Sequence, residues 1–513
     1  MERCSAILMP VSSLPSPYGI GSFGKAAYEY VDFLAEAGQG CWQVLPLGPT
    51  SYGDSPYQSP SSFAGNPYFI DLDLLIADGL LTMEEVEAYN WGSDPRNVDY
   101  AALYAGRFEL LAKAKARGWD RDRADIAAFE RENADWLPDY ALFMALKRHF
   151  GMKSWIEWSD EDARLRRPEA LARYRETLRA DLELFTYLQF LFFRQWDSLK
   201  AYANEKRIRI IGDLPIYVAL DSADVWAAPQ FFQLDSRGFP TEVSGVPPDY
   251  FNADGQLWGN PLYDYDAMER DSFGWWIRRV GGVAKLYDVI RIDHFRGFES
   301  YWAVPYGDKT ARRGRWVKGP GMKLVGVLTG WFRDTEFIAE DLGYTTPEVR
   351  KLLDDSGLPG MKVLEFAFGS GGDNDHLPHK HAFNATCYTA THDNEPLALW
   401  KTAKATRKEL AFAKEYGGIR SGKSFNDDMI RLGMRSAAKL FVAQMQDWLE
   451  LGEGCRTNVP GVLGGNWTWR MLPGEATPEL AQRILRMTGV FGRLVPVADA
   501  PAEPARADET DKS

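Results

Sequence analysis

The sequence predicts an α/β protein built as a (β/α)8 barrel with large helical and loop insertions between the barrel strands. Three observations predict it. Short apolar runs recur along the chain and end in polar residues. Amphipathic helical stretches lie between several of them. The 513 residues leave room for eight such units in one large domain, a length that α/β barrels with insertions reach.

The apolar runs are AILMPVSSL (6–14), WQVLPLG (42–48), RIRIIGDLPIYV (207–218), VIRIDHF (289–295), FIAEDLG (337–343), MKVLEFAF (361–368) and CYTATHDN (387–394). An eighth, KLFVAQM (439–445), reads equally well as strand or helix. Runs this short, apolar on both faces, suit parallel strands covered by helices. AAYEYVDFLAEAG (26–38) is amphipathic and stops at Gly38, as a helix C-terminus should. TTPEVRKLLDDSG (345–357) places Pro347 and Glu348 in its first turn and Gly357 past its end. Repeated strand-then-helix units imply a parallel sheet with right-handed crossovers. Eight of them close a barrel of the TIM type. Two stretches break the repeat. Residues from about 70 to 205 are mostly helical, and those from about 220 to 285 are rich in Pro, Gly, Asn and aromatics. Both read as insertions in connecting loops, within one catalytic barrel spanning 1–496. The tail, 497–513, is Ala, Pro and charged residues, a composition that reads as disordered.

Composition narrows the function. Apolar residues at 45% and charged residues at 26% allow a sizeable core. A net charge of −13 argues against nucleic acid, because phosphate binding rests on a basic surface. Eighteen Trp offer stacking faces for sugars, though Trp also simply packs cores. Cys4, Cys41, Cys387 and Cys455 are scattered without a C-x-x-C pair, so neither a disulfide framework nor a zinc site is expected. The N-terminal apolar run, Ala6 to Val11, is short and contains Pro10, unlike a secretory leader. The apolar stretch Leu182–Leu199 is interrupted by Glu183, Gln189, Arg194 and Asp197, unlike a membrane span. A cytoplasmic protein without membrane contact is expected.

Three motifs are set aside. Gly19, Gly21 and Gly24 spell G-x-G-x-x-G, but Pro15 to Pro17 replace the strand that a dinucleotide site needs before it. Asn252, Asp254 and Gly255 resemble part of a calcium loop, but Tyr250 and Pro261 occupy its first and last ligand positions. His376, His379 and His381 lie beside Asp373 and Asp375, and read as a solvated loop before a metal site.

The strand ends carry the chemistry. Catalytic groups of such barrels come from the C-terminal ends of different strands. Four runs end in carboxylates: Asp213, Asp293, Glu340 and Asp393. One such acid is ordinarily a helix cap. Four at corresponding points, two beside histidines, describe the floor of a cleft. Arg291 and Asp293 are two residues apart, so they share a strand face, and the arginine favours the ionised carboxylate. Glu340 would share the cleft with Asp293 and Asp393, and like charges with partial burial raise a carboxyl pKa. A pair of carboxylates with opposed protonation is the equipment of glycoside cleavage.

The chain resembles the amylomaltases, the 4-alpha-glucanotransferases or disproportionating enzymes of plants and bacteria. The likeness runs from residue 5 to 495. It is carried by SSLPSPYGIGSFG (12–24), WQVLPLGPTSYGDSPYQSPSSFAGNPYFIDL (42–72), IIGDLPIYVALDSADVW (210–226), GVPPDYFNADGQLWGNPLYDY (245–265), IRIDHFRGF (290–298), IAEDLG (338–343), ATHDNE (390–395) and NVPGVLGGNWTWR (458–470). The resemblance implies a retaining double displacement on maltooligosaccharides and other α-1,4-glucans, with glucose or another glucan as acceptor and no cofactor or metal. It implies Asp293 as nucleophile, Glu340 as acid/base and Asp393 as stabiliser of the transition state. Arg291, His294 and His392 match sugar-contacting neighbours, and Asp213 a substrate or structural contact. Tyr57, Trp258, Asn466 and Trp467 fall in segments that line the family's glucan cleft. From the residues alone, an amylase-like hydrolase with the same acids and a non-catalytic sugar-binding barrel stay open as alternatives.

Overall fold

The computed structural model describes residues 2–51, 53–248, 253–419 and 425–495. Tyr250, Phe251 and Asn252, and the tail from 497, lie outside the described residues. Twelve strands occur among those described: β1 Cys4–Leu8, β2 Cys41–Gln43, β3 Arg209–Leu214, β4 Glu242–Val246, β5 Gln256–Pro261, β6 Val289–Ile292, β7 Ser300–Pro305, β8 Arg315–Lys318, β9 Glu336–Ala339, β10 Gly360–Val363, β11 Ala385–Tyr388 and β12 Leu440–Gln444.

Eight of them close a barrel in the order β1-β2-β3-β6-β9-β10-β11-β12, every neighbour parallel. Each predicted apolar run contributes one strand. The ambiguous KLFVAQM is β12, which pairs with β1 on one side and β11 on the other. Alternate side chains fill the interior, among them Ala6, Ile211, Val289, Met361 and Val442, while their neighbours, such as Ile7 and Ile290, pack against the helices. This inside–outside alternation leaves no room for charge within the apolar layers. Polar groups on the strands are therefore placed at the ends. At the N-terminal end, buried Arg493 donates to the carbonyls of Cys4, Met434, Ser436, Ala438 and Lys439. Those bonds tie β1, β12 and the chain after the helix Pro478–Val490 together.

The two helices read from sequence form as Lys25–Glu36 and Pro347–Ser356. The first buries Ala27, Tyr30, Val31, Phe33 and Leu34 on one face. The second is capped by the Thr346 side chain, which accepts from the Val349 N–H, and ends at Gly357 with φ 68°. Between β2 and β3 the chain runs through helices that include Tyr100–Gly118, Leu137–His149 and Arg179–Glu205. Among the described residues, no helix is long and apolar enough to cross a membrane. In the G-x-G-x-x-G stretch the glycines serve close packing: a side chain at Gly21 would meet the Val11 carbonyl, and one at Gly24 the Asp71 carboxylate.

One expectation needs correction. The stretch 220–285 is less loop-like than its composition implies. It supplies β4 and β5 to an antiparallel sheet, ordered β5-β4-β7-β8, and the helices Tyr265–Arg270 and Gly274–Leu286. Gly245 and Gly259 sit within β4 and β5, and the register shifts between Val243 and Gly245. Glycine and a bulge break the sequence alternation that marks a strand. The sheet stands over the C-terminal end of β6 and forms one wall of a cleft.

Candidate active site

The cleft has a volume of about 1230 Å³ and opens at the C-terminal ends of the barrel strands. Asp293, Glu340 and Asp393 all line it. Asp293 follows the last residue of β6 and Glu340 the last residue of β9. The β6–β9 pairing continues past both: the Glu340 N–H donates to the Ile292 carbonyl at 3.0 Å, and the Phe295 N–H donates to the Glu340 carbonyl at 3.0 Å. The two acids are thus held by one ladder.

Glu340 is fixed at both carboxylate oxygens. The His294 N–H donates to one at 2.7 Å and the Leu342 N–H to the other at 2.8 Å. His294 reaches it by adopting a left-handed backbone, φ 48°, a conformation uncommon outside glycine and worth inspecting at a site. Burial raises the Glu340 pKa to about 7, helped by Asp293 and opposed by Arg291 and the two N–H donors. Asp293 keeps 28% of its side-chain surface exposed, open to the cleft. Arg291 donates to it at 3.1 Å. The expectation that this arginine would hold Asp293 low is corrected: burial outweighs Arg291, and the carboxyl rises to about 6. The order survives, with Glu340 the more readily protonated of the two.

Arg291 is anchored from behind. Its Nη1 also donates to Asp213 at 2.7 Å, in a buried pair with 4% and 0% side-chain exposure. The Tyr57 hydroxyl donates to the same Asp213 oxygen at 2.5 Å. Asp213 therefore lies one layer beneath the cleft, where it orients Arg291 and Tyr57, and does not line the opening.

Asp393 stands past the end of β11. Its Oδ1 accepts from the Asn458 side-chain amide at 2.6 Å, and its Oδ2 lies 3.3 Å from His392 Nε2. Its main-chain carbonyl accepts from Arg456 at 2.5 Å. Arg456 also pairs with Glu395 and donates to the Asn458 carbonyl at 2.6 Å. Segment 456–458 thus clasps segment 392–395. The sequence does not assign Arg456 or Asn458 to Asp393, because both act on it from over sixty residues away in the chain.

Rings line the rest. Tyr57 stacks on His392 with centroids 5.3 Å apart and 15° between planes, and Trp467 lies 5.8 Å from Tyr57. Trp258, on β5, meets His294 edge-on at 4.8 Å. Burial and nearby Arg296 lower His294 to about 3, so its ring is neutral at physiological pH. Asn466 faces the cleft, but its amide is occupied by its own loop. Its oxygen accepts from the Val459 N–H at 2.9 Å and its nitrogen donates to the Val462 carbonyl at 2.8 Å. In the histidine-rich loop, His376 Nδ1 accepts from the Val363 N–H at 3.1 Å and His381 Nε2 bonds the His376 carbonyl at 2.9 Å. Those nitrogens are used to hold the loop.

The closed parallel barrel agrees with what known proteins share with this chain. The family model for 4-alpha-glucanotransferase matches residues 9–475. The chain belongs to the 4-alpha-glucanotransferase family. It is 47% identical over 486 residues to the 4-alpha-glucanotransferase of Clostridium butyricum, covering 94% of this chain and 100% of that protein. It is 47% identical over 506 residues to the 4-alpha-glucanotransferase of Thermus thermophilus, covering 96% and 100%. The solved amylomaltase from Streptococcus agalactiae in complex with acarbose superposes with a TM-score of 0.94 at 40% identity, covering 96% of this chain and all of that one.

Proposed function

We propose that this protein transfers segments of α-1,4-glucan to the 4-hydroxyl of glucose or another glucan, with Asp293 as nucleophile, Glu340 as acid/base and Asp393 as transition-state stabiliser. One observation carries the assignment of roles. Glu340 is the carboxyl whose pKa is raised the further of the two, held rigidly by two N–H groups, whereas Asp293 is arginine-paired and open to the cleft.

The reaction runs in two displacements. In the first, an Asp293 oxygen bonds to the anomeric carbon as the glycosidic C–O bond breaks. Glu340 gives its proton to the leaving oxygen. In the second, the incoming 4-hydroxyl oxygen bonds to the same carbon. Its proton passes to Glu340, and Asp293 leaves as a carboxylate. One glycosidic bond is exchanged for another, and the configuration is retained. Asp393, pre-oriented by Asn458 and His392, accepts hydrogen bonds from ring hydroxyls that strengthen as charge develops. Arg291 stabilises the Asp293 carboxylate, both before attack and as it departs. Tyr57, His392 and Trp467 offer ring faces and edges to the donor sugar.

Water competes with the acceptor at the second step. Sugar prevails only when it is held in place, since positioning supplies a large effective molarity. Trp258, on the sheet wall beside His294, is proposed to supply that hold. Incubation with maltotriose alone tests the function. Glucose plus a ladder of longer chains is expected. Shorter products only would indicate a hydrolase, and no products a binding protein.

A further inference from the structure

Away from the three carboxylates, the cleft wall carries three exposed aromatic side chains that the chemistry does not use, Phe366, Trp316 and Tyr344, of which the last two share a support. Trp316, on β8, is 39% exposed and Tyr344, shortly after Glu340, is 70% exposed; both line the cleft. A single exposed apolar side chain needs no explanation, and Trp331, 68% exposed and away from the cleft, is such a case. Trp316 and Tyr344 differ because they are mounted on a common support. The Arg296 guanidinium carbon lies 3.9 Å from the centre of the Trp316 ring and 5.9 Å from that of Tyr344. Arg296 is itself buried, at 5% exposure. It donates to the Tyr344 carbonyl at 3.0 Å and to the Ser300 hydroxyl at 3.1 Å. Trp302, the cross-strand partner of Trp316, meets that ring edge-on at 5.2 Å and 70°. The Trp316 ring is therefore fixed by a cation on one side and a second indole on another before anything binds. A side chain already immobilised loses little freedom when a ligand settles on it.

We infer that Trp316 and Tyr344 form a platform on which α-glucan glucose units remote from the reacting bond lay their apolar C–H faces. The ligand class follows from the cleft, which runs without interruption from the carboxylates to these rings, and so rests on the proposed function. The platform's chemistry agrees. Two Arg296 nitrogens are committed to a main-chain carbonyl and a hydroxyl, and the rings present flat apolar area with polar tips, as an uncharged sugar requires. Only chains long enough to reach the platform gain from it. It therefore sets chain-length preference and leaves bond making to the carboxylates.

Calorimetric titration of maltotriose and maltoheptaose tests this, in an Asp293→Asn background that stops turnover. Adding Trp316→Ala should raise the ratio of maltoheptaose Kd to maltotriose Kd about tenfold, equivalent to about 1.4 kcal/mol. Trp316→Phe, which keeps a ring, should raise it less. Tyr344→Ala, at an exposed position that folding tolerates, should move the ratio in the same direction. If Trp316→Ala and Tyr344→Ala weaken both sugars alike, or leave maltoheptaose binding unchanged, the platform does not exist. This binding ratio is independent of the maltotriose product ladder, so failure of the platform and failure of the transferase assignment give different results.

Discussion

Replacing Asn458 with Ala removes the amide that holds Asp393 Oδ1 at 2.6 Å. A hydrogen bond to a charged group contributes about 1.5–3 kcal/mol. Taken wholly from the transition state, that is a loss of roughly 10- to 150-fold in kcat. Asp393 is 41% exposed, so water can replace part of the lost bond, and His392 at 3.3 Å still restrains the other oxygen. The lower end, about tenfold, is expected. The assay is steady-state disproportionation of maltotriose, with kcat and KM resolved. Positioning by Asn458 predicts that kcat falls while KM moves less than twofold or so, because the contacts of Asp393 strengthen as charge develops. Asn458→Asp, of equal size, sets a carboxylate against Asp393 and should be worse than Ala. A rise in KM with kcat intact would refute the reasoning. So would an Asp variant as active as Ala across the pH range, which would mean that the side chain at 458 matters only for packing.

Glu340→Gln should lose about 10²–10⁴ in rate on natural glucans, and less on donors with a good leaving group, which need no protonation; equal losses would contradict the acid/base role. In wild type, kcat/KM should fall as pH rises through about 7, where Glu340 loses its proton, and fall again below about 6, where Asp293 gains one; both limbs belong to the coupled pair. Glu340 binds its proton more tightly folded than unfolded, so its contribution to stability is complete below about 4.5 and is lost as pH rises through about 7. The Tm of Glu340→Gln, measured by calorimetry, should therefore gain on wild type as pH rises from about 4.5 through about 7; a constant offset from pH 4.5 to 8.5 would oppose this. Trp258→Ala should raise the fraction of turnovers ending in hydrolysis, measured as glucose release against chain lengthening; a lower total rate at an unchanged ratio would remove Trp258 from acceptor positioning.

Much of this architecture is legible in the sequence, and the gaps have physical causes. The barrel is readable because each strand is buried on both faces and writes an unbroken apolar run. The same property left KLFVAQM undecided, since a run apolar all round lacks a period; its parallel pairing with β1 and β11 is a tertiary fact. The strand-end acids are visible because the layers below them are apolar, apart from the buried Asp213–Arg291 pair. The sheet bearing Trp258 is hidden, because β4 and β5 carry glycines and β4 pairs with β7, some sixty residues on. The direction of the Asp293 shift is hidden too: sequence shows the adjacent arginine, but burial, the larger effect, is set by the whole cleft. Asp213 and Asn466 look alike in sequence to residues that touch sugar. Only coordinates show that one lies under the floor and the other closes its own loop. Arg456 carries no local signal, and Asn458 opens the motif NVPGVLGGNWTWR without showing that it reaches Asp393.

The central claim is that a glycosyl group passes through Asp293 on its way between glucans. A 2-fluoro or 5-fluoro maltosyl fluoride, which forms the intermediate faster than it is discharged, tests it directly. Mass spectrometry of the digested protein should find one added glycosyl group on the peptide containing Asp293, released when maltotriose is supplied as acceptor. A label on Glu340, Asp393 or any other residue, or no label under conditions where the reagent inactivates the protein, would contradict the account.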